Sequence, residues 1–350
     1  MSSRLALTLD SVIFGLQRFG GISSYWAQLV EHARARPAWS CRLVLPRHLS
    51  YREFDAGWVR DLEVIREVPP NRVARYLRAT GGRREDVFHT SYYRVPSRRV
   101  RKYVVTAYDF TYERYRSGLA RSVHSAQKRL SIDRADAVIC ISEATRRDVL
   151  EYCPGTDTAR VHVVHLGVDR AVFFPEPASS PSVGQQVLFV GQRGGYKRFD
   201  LAVETLRQMP ELSLGIVGPP LDDDERARLR QTLGDRWHEY GPIGTQALRR
   251  LYSSAFAFVF PSDYEGFGLP VLEAMACGCP VVAAARSSLP EVGGDAARYA
   301  AAQTADDYAQ QLQALLSGAL REQLVQAGLR HAATFTWERT FAQTDAIYRS

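Results

Sequence analysis

The sequence of 350 residues has little of what marks a membrane-spanning, secreted or disordered protein. No apolar run approaches the roughly 20 residues that span a bilayer. The N-terminal segment holds neither a long apolar stretch nor a small-residue cleavage site. Hydrophobic residues make up 45% and charged residues 24%, which is the balance of an ordinary globular protein and excludes a disordered chain. We therefore expect a cytoplasmic protein, and its length favours two α/β domains over one.

Cysteine is also scarce. The five cysteines are odd in number and have no framework spacing, which argues against a disulfide-stabilised fold. Cys277 and Cys279 form a C-x-C pair around Gly278, but zinc ligation needs a second pair and none is nearby. We interpret this pair as a buried helix end.

The net charge of +7 comes from cations that are frequent in the N-terminal half. They include Arg72, Arg75, Arg78, Arg83, Arg84, Arg98, Arg99, Arg101 and Lys102. Three partners would explain them: nucleic acid, an anionic membrane surface or a phosphorylated substrate. A solvated arginine-rich face would explain them equally well, and no nucleic-acid-binding motif is present.

Short apolar strands alternate with helices in both halves of the chain, and a Pro- and Ser-rich stretch at 166–181 interrupts the alternation. Alternation of this kind predicts parallel sheets. We predict an α/β fold of two Rossmann-like, doubly wound domains facing a cleft, with a first domain over 1–168 and a second over 182–334. Because ligands bind at the carboxyl ends of such strands, the chemistry is expected in the strand-to-helix loops.

The most informative loop follows a buried strand near residue 260 and opens a helix at Pro270. Gly266 and Gly268 allow unusual backbone dihedrals, and the helix start adds a positive dipole end. Glu265 lies in the loop and Glu273 about one turn into the helix. A carboxylate suits vicinal hydroxyls because it accepts two hydrogen bonds. By itself, the pair is also compatible with a tight turn that carries two solvated glutamates.

Residues 260–282 resemble the signature of glycosyltransferase family 4, which belongs to the GT-B fold class. The family carries two glutamates separated by seven residues, and Glu265 and Glu273 match that spacing. The resemblance implies that Glu273 binds the ribose hydroxyls of a nucleotide, and that Glu265 and the adjacent backbone hold the donor sugar. That backbone comprises Gly266, Phe267, Gly268 and Leu269.

A second loop, at the end of the first strand of the second half, carries Gly191, Arg193 and Lys197. Arginine offers phosphate a bidentate fork and lysine a point charge, so a diphosphate leaving group is neutralised without magnesium. The family also has an arginine and a lysine here, which implies catalytic roles for Arg193 and Lys197. Surface cations on a turn are the alternative. The segment is no G-x-G-x-x-G, so a dinucleotide-binding site is not supported.

Two further donor contacts in the second half are implied by the resemblance. Gly218 ends the next strand, and Ile243 precedes a helix for which we predict Thr245 as N-cap. In the family, the residue that matches Ile243 meets the nucleobase through its backbone. Base identity therefore cannot be read from this side chain.

The first half contributes polar residues at helix starts and strand ends. Gly20 and Gly21 precede a helix for which we predict Ser23 as N-cap, and they resemble a family loop near the donor phosphates or the acceptor. Tyr108 stands where many relatives have a histidine that touches the donor sugar, and Asp109 is retained. His89 ends another strand and is a candidate for the acceptor, although a lone histidine there is more often structural.

The resemblance extends to bacterial polysaccharide mannosyltransferases, and it implies a retaining, metal-independent transferase without a cofactor. It would move a sugar, first of all mannose from GDP-mannose, to a glycan or lipid-linked acceptor, and UDP- and dTDP-sugars stay open as donors. A final helix over 335–350 is expected to cross back to the N-terminal domain. We expect the basic face to contact the inner membrane face peripherally and not to bind nucleic acid. The alternatives are another GT-B enzyme, such as an epimerase or phosphorylase, and a basic binding protein without activity.

Overall fold

A computed structural model describes residues 4–17, 20–50, 56–60, 62–67, 71–176 and 185–350, and at 56, 58, 71 and 72 only the backbone. The chain forms two compact units, one of Met1–Leu166 with Trp337–Ser350 and one of Gly167–Thr336. Residues 177–181 of the predicted linker lie outside the described residues, as does the Arg72 side chain. None of the helices in the described ranges combines the length and apolarity needed to cross a membrane.

The first unit is built on a seven-stranded parallel sheet in the order β3-β2-β1-β4-β5-β6-β7. Its strands are β1 (Leu5–Asp10), β2 (Trp39–Leu45), β3 (Glu63–Arg66), β4 (Val87–Thr90), β5 (Lys102–Ala107), β6 (Ala137–Cys140) and β7 (Val161–Val163). Every residue of β4 and β6 is buried. Coverage of both faces explains why β6 is an almost wholly apolar run.

In the N-terminal part of this unit, the residues that the structure describes form five helices. They are α1 (Gly21–Arg34), α2 (Asn71–Ala74), α3 (Thr111–Tyr115), α4 (Gly118–Arg134) and α5 (Glu143–Tyr152), with 3₁₀ turns at Val12–Gly15, Ala56–Val59 and Thr158–Arg160. The prediction of Ser23 as N-cap was wrong. Helix α1 begins at Gly21 after Gly20, and the buried Ser23 hydroxyl donates instead to Gln17 Oε1 at 3.0 Å.

The second unit holds a six-stranded parallel sheet in the order β10-β9-β8-β11-β12-β13. The strands are β8 (Gln186–Val190), β9 (Ser213–Val217), β10 (Trp237–Gly241), β11 (Ala257–Phe260), β12 (Val281–Ala284) and β13 (Arg298–Ala300). In both sheets the strand order reverses beside the unit's first strand, which is the switch point of a doubly wound Rossmann-like sheet. The α/β prediction of two such domains is confirmed.

The described residues of the second unit form seven helices, and one more helix follows them. They are α6 (Phe199–Arg207), α7 (Asp223–Leu233), α8 (Thr245–Ser254), α9 (Leu269–Ala276), α10 (Leu289–Gly293), α11 (Ala305–Leu315), α12 (Gly318–Ala332) and α13 (Trp337–Arg349), with 3₁₀ turns at Gly195–Lys197 and Gly294–Ala296. Thr245 is the first residue of α8 and Gly244 its N-cap, so the predicted cap was wrong. Cys277 and Cys279 are buried free thiols at the end of α9, as expected.

Helix α13 packs on the first unit although it is the last element of the chain. Its Phe341 ring stacks on Tyr25 with 6.4 Å between centroids. The Tyr348 hydroxyl lies 2.6 Å from His89 Nδ1. Lys102, from the predicted cationic run, donates to the Ile347 carbonyl at 2.5 Å, so this cation anchors the helix instead of facing a partner.

Candidate functional site

The loop between β11 and α9 is fixed in shape by glycine and by buried polar contacts. Gly268, the N-cap of α9, has φ 108°, a conformation that favours glycine. A Cβ there would also lie 2.9 Å from Leu289 Cδ2. The Ser262 hydroxyl donates to the Tyr264 carbonyl at 3.1 Å. The loop therefore enters α9 along one path, with the helix N-terminus behind it.

Two serines after β12 hold the carbonyl groups of this loop. The Ser287 hydroxyl donates to the Glu265 carbonyl at 2.6 Å. Ser288, which is fully buried, lies 2.9 Å from the same carbonyl and 2.7 Å from that of Phe267. Neither serine was predicted from the sequence, where only their place after a strand pointed to the site. They lock the backbone beside Glu265.

The structure brings together two of the predicted catalytic residues. Lys197 Nζ lies 2.5 Å from Glu265 Oε1, and their side chains are 19% and 14% exposed. Lys197 ends the 3₁₀ turn that follows β8, and the Asp263 N–H donates to the Tyr196 carbonyl at 2.8 Å. The loops after β8 and β11, on adjacent strands, are thus joined by this backbone bond and by ion pairs, of which Lys197–Glu265 is the shorter and Arg198–Asp263 the other. The Lys197–Glu265 pair places both a cation and a carboxylate at the switch point of the sheet.

Arg193 has other partners than the predicted phosphate. Its Nε and Nη2 atoms each donate to Glu225 at 2.8 Å. Nη1 donates to the Pro219 carbonyl at 2.6 Å and Nη2 to that of Pro220 at 2.9 Å. Four of the five N–H donors of a guanidinium are thereby used within the protein, and the side chain is 8% exposed. In this structure the fork of Arg193 clamps α7 and the turn after β9.

Glycines line the carboxyl ends of three neighbouring strands. Gly191 follows β8, Gly218 follows β9 and Gly241 ends β10. The Gly191 N–H donates to the Val217 carbonyl at 2.9 Å, and the Gly218 N–H to that of Gly241 at 3.2 Å. A Cβ at Gly218 would stand 2.2 Å from the Gly191 carbonyl oxygen, so only glycine fits. At Gly191 and Gly241, by contrast, an added Cβ would meet no other atom within 4 Å, so the backbone at these two strand ends is open to close approach of a ligand.

The two remaining donor residues predicted in this unit border helices α8 and α9. Glu273 is half-buried on α9. Burial raises the pKa of Tyr252 on α8 well above its usual value, and the negative charge of Glu273 raises it further. Ile243 is half-buried in the turn before α8. Its backbone, not its side chain, was the predicted contact.

Strained backbone collects around the same loops. Four non-glycine residues of the described ranges have positive φ, and Arg198 (50°), Ser287 (53°) and Gln303 (56°) adjoin this site. Arg198 lies 3.5 Å from Asp263 Oδ2, and the Gln303 side-chain amide donates to Asp263 Oδ1 at 2.9 Å. Sparsely populated dihedrals persist where surrounding contacts over-determine them, and they cluster at functional sites. This concentration is independent support for the site in the second unit.

The residues predicted in the first unit are placed within that unit. Gly20 and Gly21 are exposed at the start of α1. Asp109 is half-buried at the end of β5, where its Oδ1 accepts from the Thr111 N–H at 3.0 Å. Tyr108 is 3% exposed and packs against Tyr25, with 6.1 Å between ring centroids. The Tyr108 side chain thus lies in the core of the first unit, so it is not exposed for the predicted contact with the donor sugar.

His89, the acceptor candidate, is fully buried. Its Nδ1 lies 2.6 Å from the Tyr348 hydroxyl and its Nε2 2.8 Å from Thr106 Oγ1. Burial lowers the pKa of His89 to about 3, so the ring stays neutral at physiological pH. The contacts are those of a structural histidine that joins α13 to the sheet, as the alternative interpretation held.

Comparison with known proteins agrees with this geometry. The family model for group 1 glycosyl transferases matches residues 175–331, and that for glycosyltransferase family 4 matches residues 19–172. The O-antigen chain mannosyltransferase B of Escherichia coli is 30% identical over 315 residues, which cover 82% of this chain and 80% of that protein.

Solved structures share the fold over nearly the whole chain. The sucrose-phosphate synthase of Thermosynechococcus elongatus has a TM-score of 0.75 at 22% identity, covering 99% of this chain and 98% of its own. Anabaena HepE in complex with UDP has a TM-score of 0.74 at 16% identity, with 98% of both chains covered. The two Rossmann-like units are thus those of the GT-B fold, and the chain belongs to the family 4 glycosyltransferases.

Proposed function

We propose that this glycosyltransferase moves mannose from GDP-mannose to a hydroxyl of a glycan or lipid-linked acceptor, with retention of anomeric configuration. The observation that carries the proposal is the Lys197–Glu265 pair beside the bare glycine backbone at the switch point of the second sheet. This arrangement offers a cation for a diphosphate, a carboxylate for sugar hydroxyls and close backbone approach.

Mannose and GDP rank first because the match to an O-antigen mannosyltransferase covers 80% of that protein. A UDP-sugar is the competing donor, since the structural neighbour HepE binds UDP. The contacts that would separate the two bases lie in the turn around Ile243, where recognition through the backbone leaves no side-chain signature.

Donor binding, in this proposal, exchanges the ion pair for contacts with substrate. Lys197 turns from Glu265 to the diphosphate, and the freed Glu265 carboxylate accepts hydrogen bonds from the sugar hydroxyls. Glu273 holds the ribose hydroxyls, and the backbone from Gly266 to Leu269 faces the sugar. Arg193 acts as a positioning residue through the turn after β9, because its fork already binds Glu225 and two carbonyl groups.

The chemistry we propose is front-side displacement without a metal. The acceptor oxygen bonds to the anomeric carbon on the face that the diphosphate leaves, and the hydroxyl proton passes to the departing phosphate oxygen. Lys197 stabilises the charge that develops on that phosphate, which is a positioning and electrostatic role. We also propose Gly20, Gly21 and Asp109 of the first unit as site residues.

The test is a thermal-shift panel of GDP, UDP, dTDP and ADP, each with and without EDTA. Selective stabilisation by GDP that EDTA leaves unchanged supports a metal-independent GDP-sugar transferase, because a ligand that binds only the folded state raises the melting temperature. Selective stabilisation by another nucleotide replaces the donor and keeps the reaction class. A polyanion response that falls with salt, together with no nucleotide response, favours the binding-protein alternative.

A further inference from the structure

Exposed apolar side chains are concentrated on one part of the first unit. Of nine large hydrophobic residues exposed in the described ranges, seven lie between residues 73 and 130. They are Val73, Tyr76, Leu77, Tyr115, Leu119, Val123 and Leu130. Single exposed apolar residues are normal on a protein surface, whereas a cluster of them marks an interaction site.

Helix α4 carries an apolar stripe on its outer side. Leu119, Val123, Ala126 and Leu130 follow each other at helical spacings of four, three and four residues, and all four are exposed. Leu119 is 79% exposed. The opposite side of the helix is buried, although it carries polar residues such as His124 and Lys128. A surface helix normally shows the reverse pattern, with its apolar side towards the core.

The segment around α2 lies beside this helix. The Gln127 side-chain amide donates to the Arg75 carbonyl. Arg75 Nη2 donates to the Tyr92 hydroxyl at 2.6 Å, and that hydroxyl lies 2.9 Å from His124 Nε2. Val73, Tyr76 and Leu77 therefore lie on a segment that contacts α4 through Arg75. We refer to these three residues and the stripe of α4 together as the α4 surface.

Positive charge surrounds the α4 surface. Residues 71–84 and 114–132 contain ten arginines and lysines and no aspartate or glutamate. Arg83, Arg114 and Lys128 pair with carboxylates from outside these stretches. Arg78, Arg116 and Arg129 are among those that are exposed. An apolar stripe flanked by arginines is the pattern of a helix that lies in the plane of a membrane interface.

We propose that the α4 surface docks the protein on an anionic lipid bilayer, with the stripe among the upper acyl chains and the arginines at the headgroups. A second copy of the chain is disfavoured, because two cationic surfaces would face each other. A nucleic acid would use the arginines and leave the stripe exposed. Docking deepens the proposed function, since it brings the enzyme to a lipid-linked acceptor, but it is measured without any sugar transfer.

The experiment is sedimentation of the full-length protein with phosphatidylcholine vesicles, with and without about 30 mol% phosphatidylglycerol. We expect binding only to the anionic vesicles, weakened at about 0.5 M salt. The L119S/V123S/L130S variant is expected to bind at least about tenfold more weakly, since less apolar area enters the interface. Replacing Arg78 and Arg129 by glutamine should weaken binding roughly 30-fold, at about fivefold per charge.

Matched controls come from the second unit. Leu316→Ser removes another exposed leucine, and Arg330→Gln another exposed arginine, and both variants should bind as the wild type does. Equal binding of the stripe variant and the wild type, or no preference of the wild type for anionic vesicles, overturns the proposal. So does a dimer that becomes monomeric in the stripe variant while no vesicle binding occurs. Nucleotide stabilisation of every variant reports separately on the donor site.

Discussion

Replacement of Arg193 and of Lys197 by methionine separates two roles that the sequence alone merged. The Lys197 ammonium meets one carboxylate at 2.5 Å, and both side chains keep some exposure. Removal of this cation should leave the fold intact and lower kcat by roughly 10²- to 10³-fold, the typical loss when one preorganised group at a developing charge is removed. The melting temperature should change little, because partly exposed ion pairs contribute about 1 kcal/mol or less.

Arg193→Met should act mainly on stability. The variant removes two charged hydrogen bonds to Glu225 and leaves the carbonyl groups of Pro219 and Pro220 without a donor. Each such bond contributes roughly 1.5–3 kcal/mol, but Glu225, with a side chain 29% exposed, regains water. We expect a net loss of about 2 kcal/mol, or roughly 4–8 °C in melting temperature for a domain of this size.

The assay combines differential scanning calorimetry with donor turnover on both variants. Arg193→Lys is the matched control, since it keeps the charge but loses the fork that bridges Glu225 and the turn. If Arg193 only positions the turn after β9, we expect kcat of Arg193→Met to fall less than about tenfold. A 10²-fold loss of kcat at unchanged melting temperature would refute it, because the guanidinium would then contact the phosphate directly.

Three further predictions concern the surrounding structure. Ser288→Ala should lower kcat and destabilise the protein by about 1–3 kcal/mol, since it removes the buried hydrogen bond to the Phe267 carbonyl; unchanged turnover would remove Ser288 from the site. Gly218→Ala should abolish nucleotide-induced stabilisation, because its Cβ would overlap the Gly191 oxygen; retained stabilisation would show that the strand ends separate freely. Chemical denaturation of His89→Gln should show about 2 kcal/mol less loss of stability than wild type between pH 8 and 5.

The sign of the last effect follows from the direction of the shift. Burial lowers the folded-state pKa of His89 from 6.5 to about 3, so the unfolded chain takes up a proton first as the pH falls. Stability from this group is therefore complete above about pH 6.5 and decreases below it. Parallel pH profiles of the two proteins would show that the imidazole is hydrated in the folded state.

The alternation of strands and helices and the two chemistry-bearing loops could be predicted because their signals are local. The run from Ala137 to Cys140 is apolar, and the loop at Glu265 carries its glycines in one short stretch. Helix α4 was not predicted, since its exposed side is apolar and its buried side polar, the reverse of the usual pattern. Strand β10 was missed for a related reason, because none of its five residues is fully buried.

Contacts between distant residues were beyond sequence reasoning. The partner of Arg193 lies 32 residues away, and Ser288 binds a carbonyl 21 residues before it. The family pattern predicts a ligand contact for Tyr108, whereas packing against Tyr25 places its side chain in the core. For Arg193 and Tyr108 the surrounding fold decides what the side chain touches, and for Ser288 there was no expectation from the sequence.

The central claim is that the second unit binds a nucleotide-sugar donor through Lys197 and Glu273, and isothermal titration calorimetry tests it most directly. GDP-mannose is titrated in EDTA into the wild type, Lys197→Met and Glu273→Gln, with Arg330→Gln as control. We expect GDP-mannose to bind the wild type and the control, and to bind each site variant at least about tenfold more weakly at unchanged melting temperature. Equal affinity in all four proteins, or no binding of GDP-, UDP- or dTDP-sugars to the wild type, would contradict it.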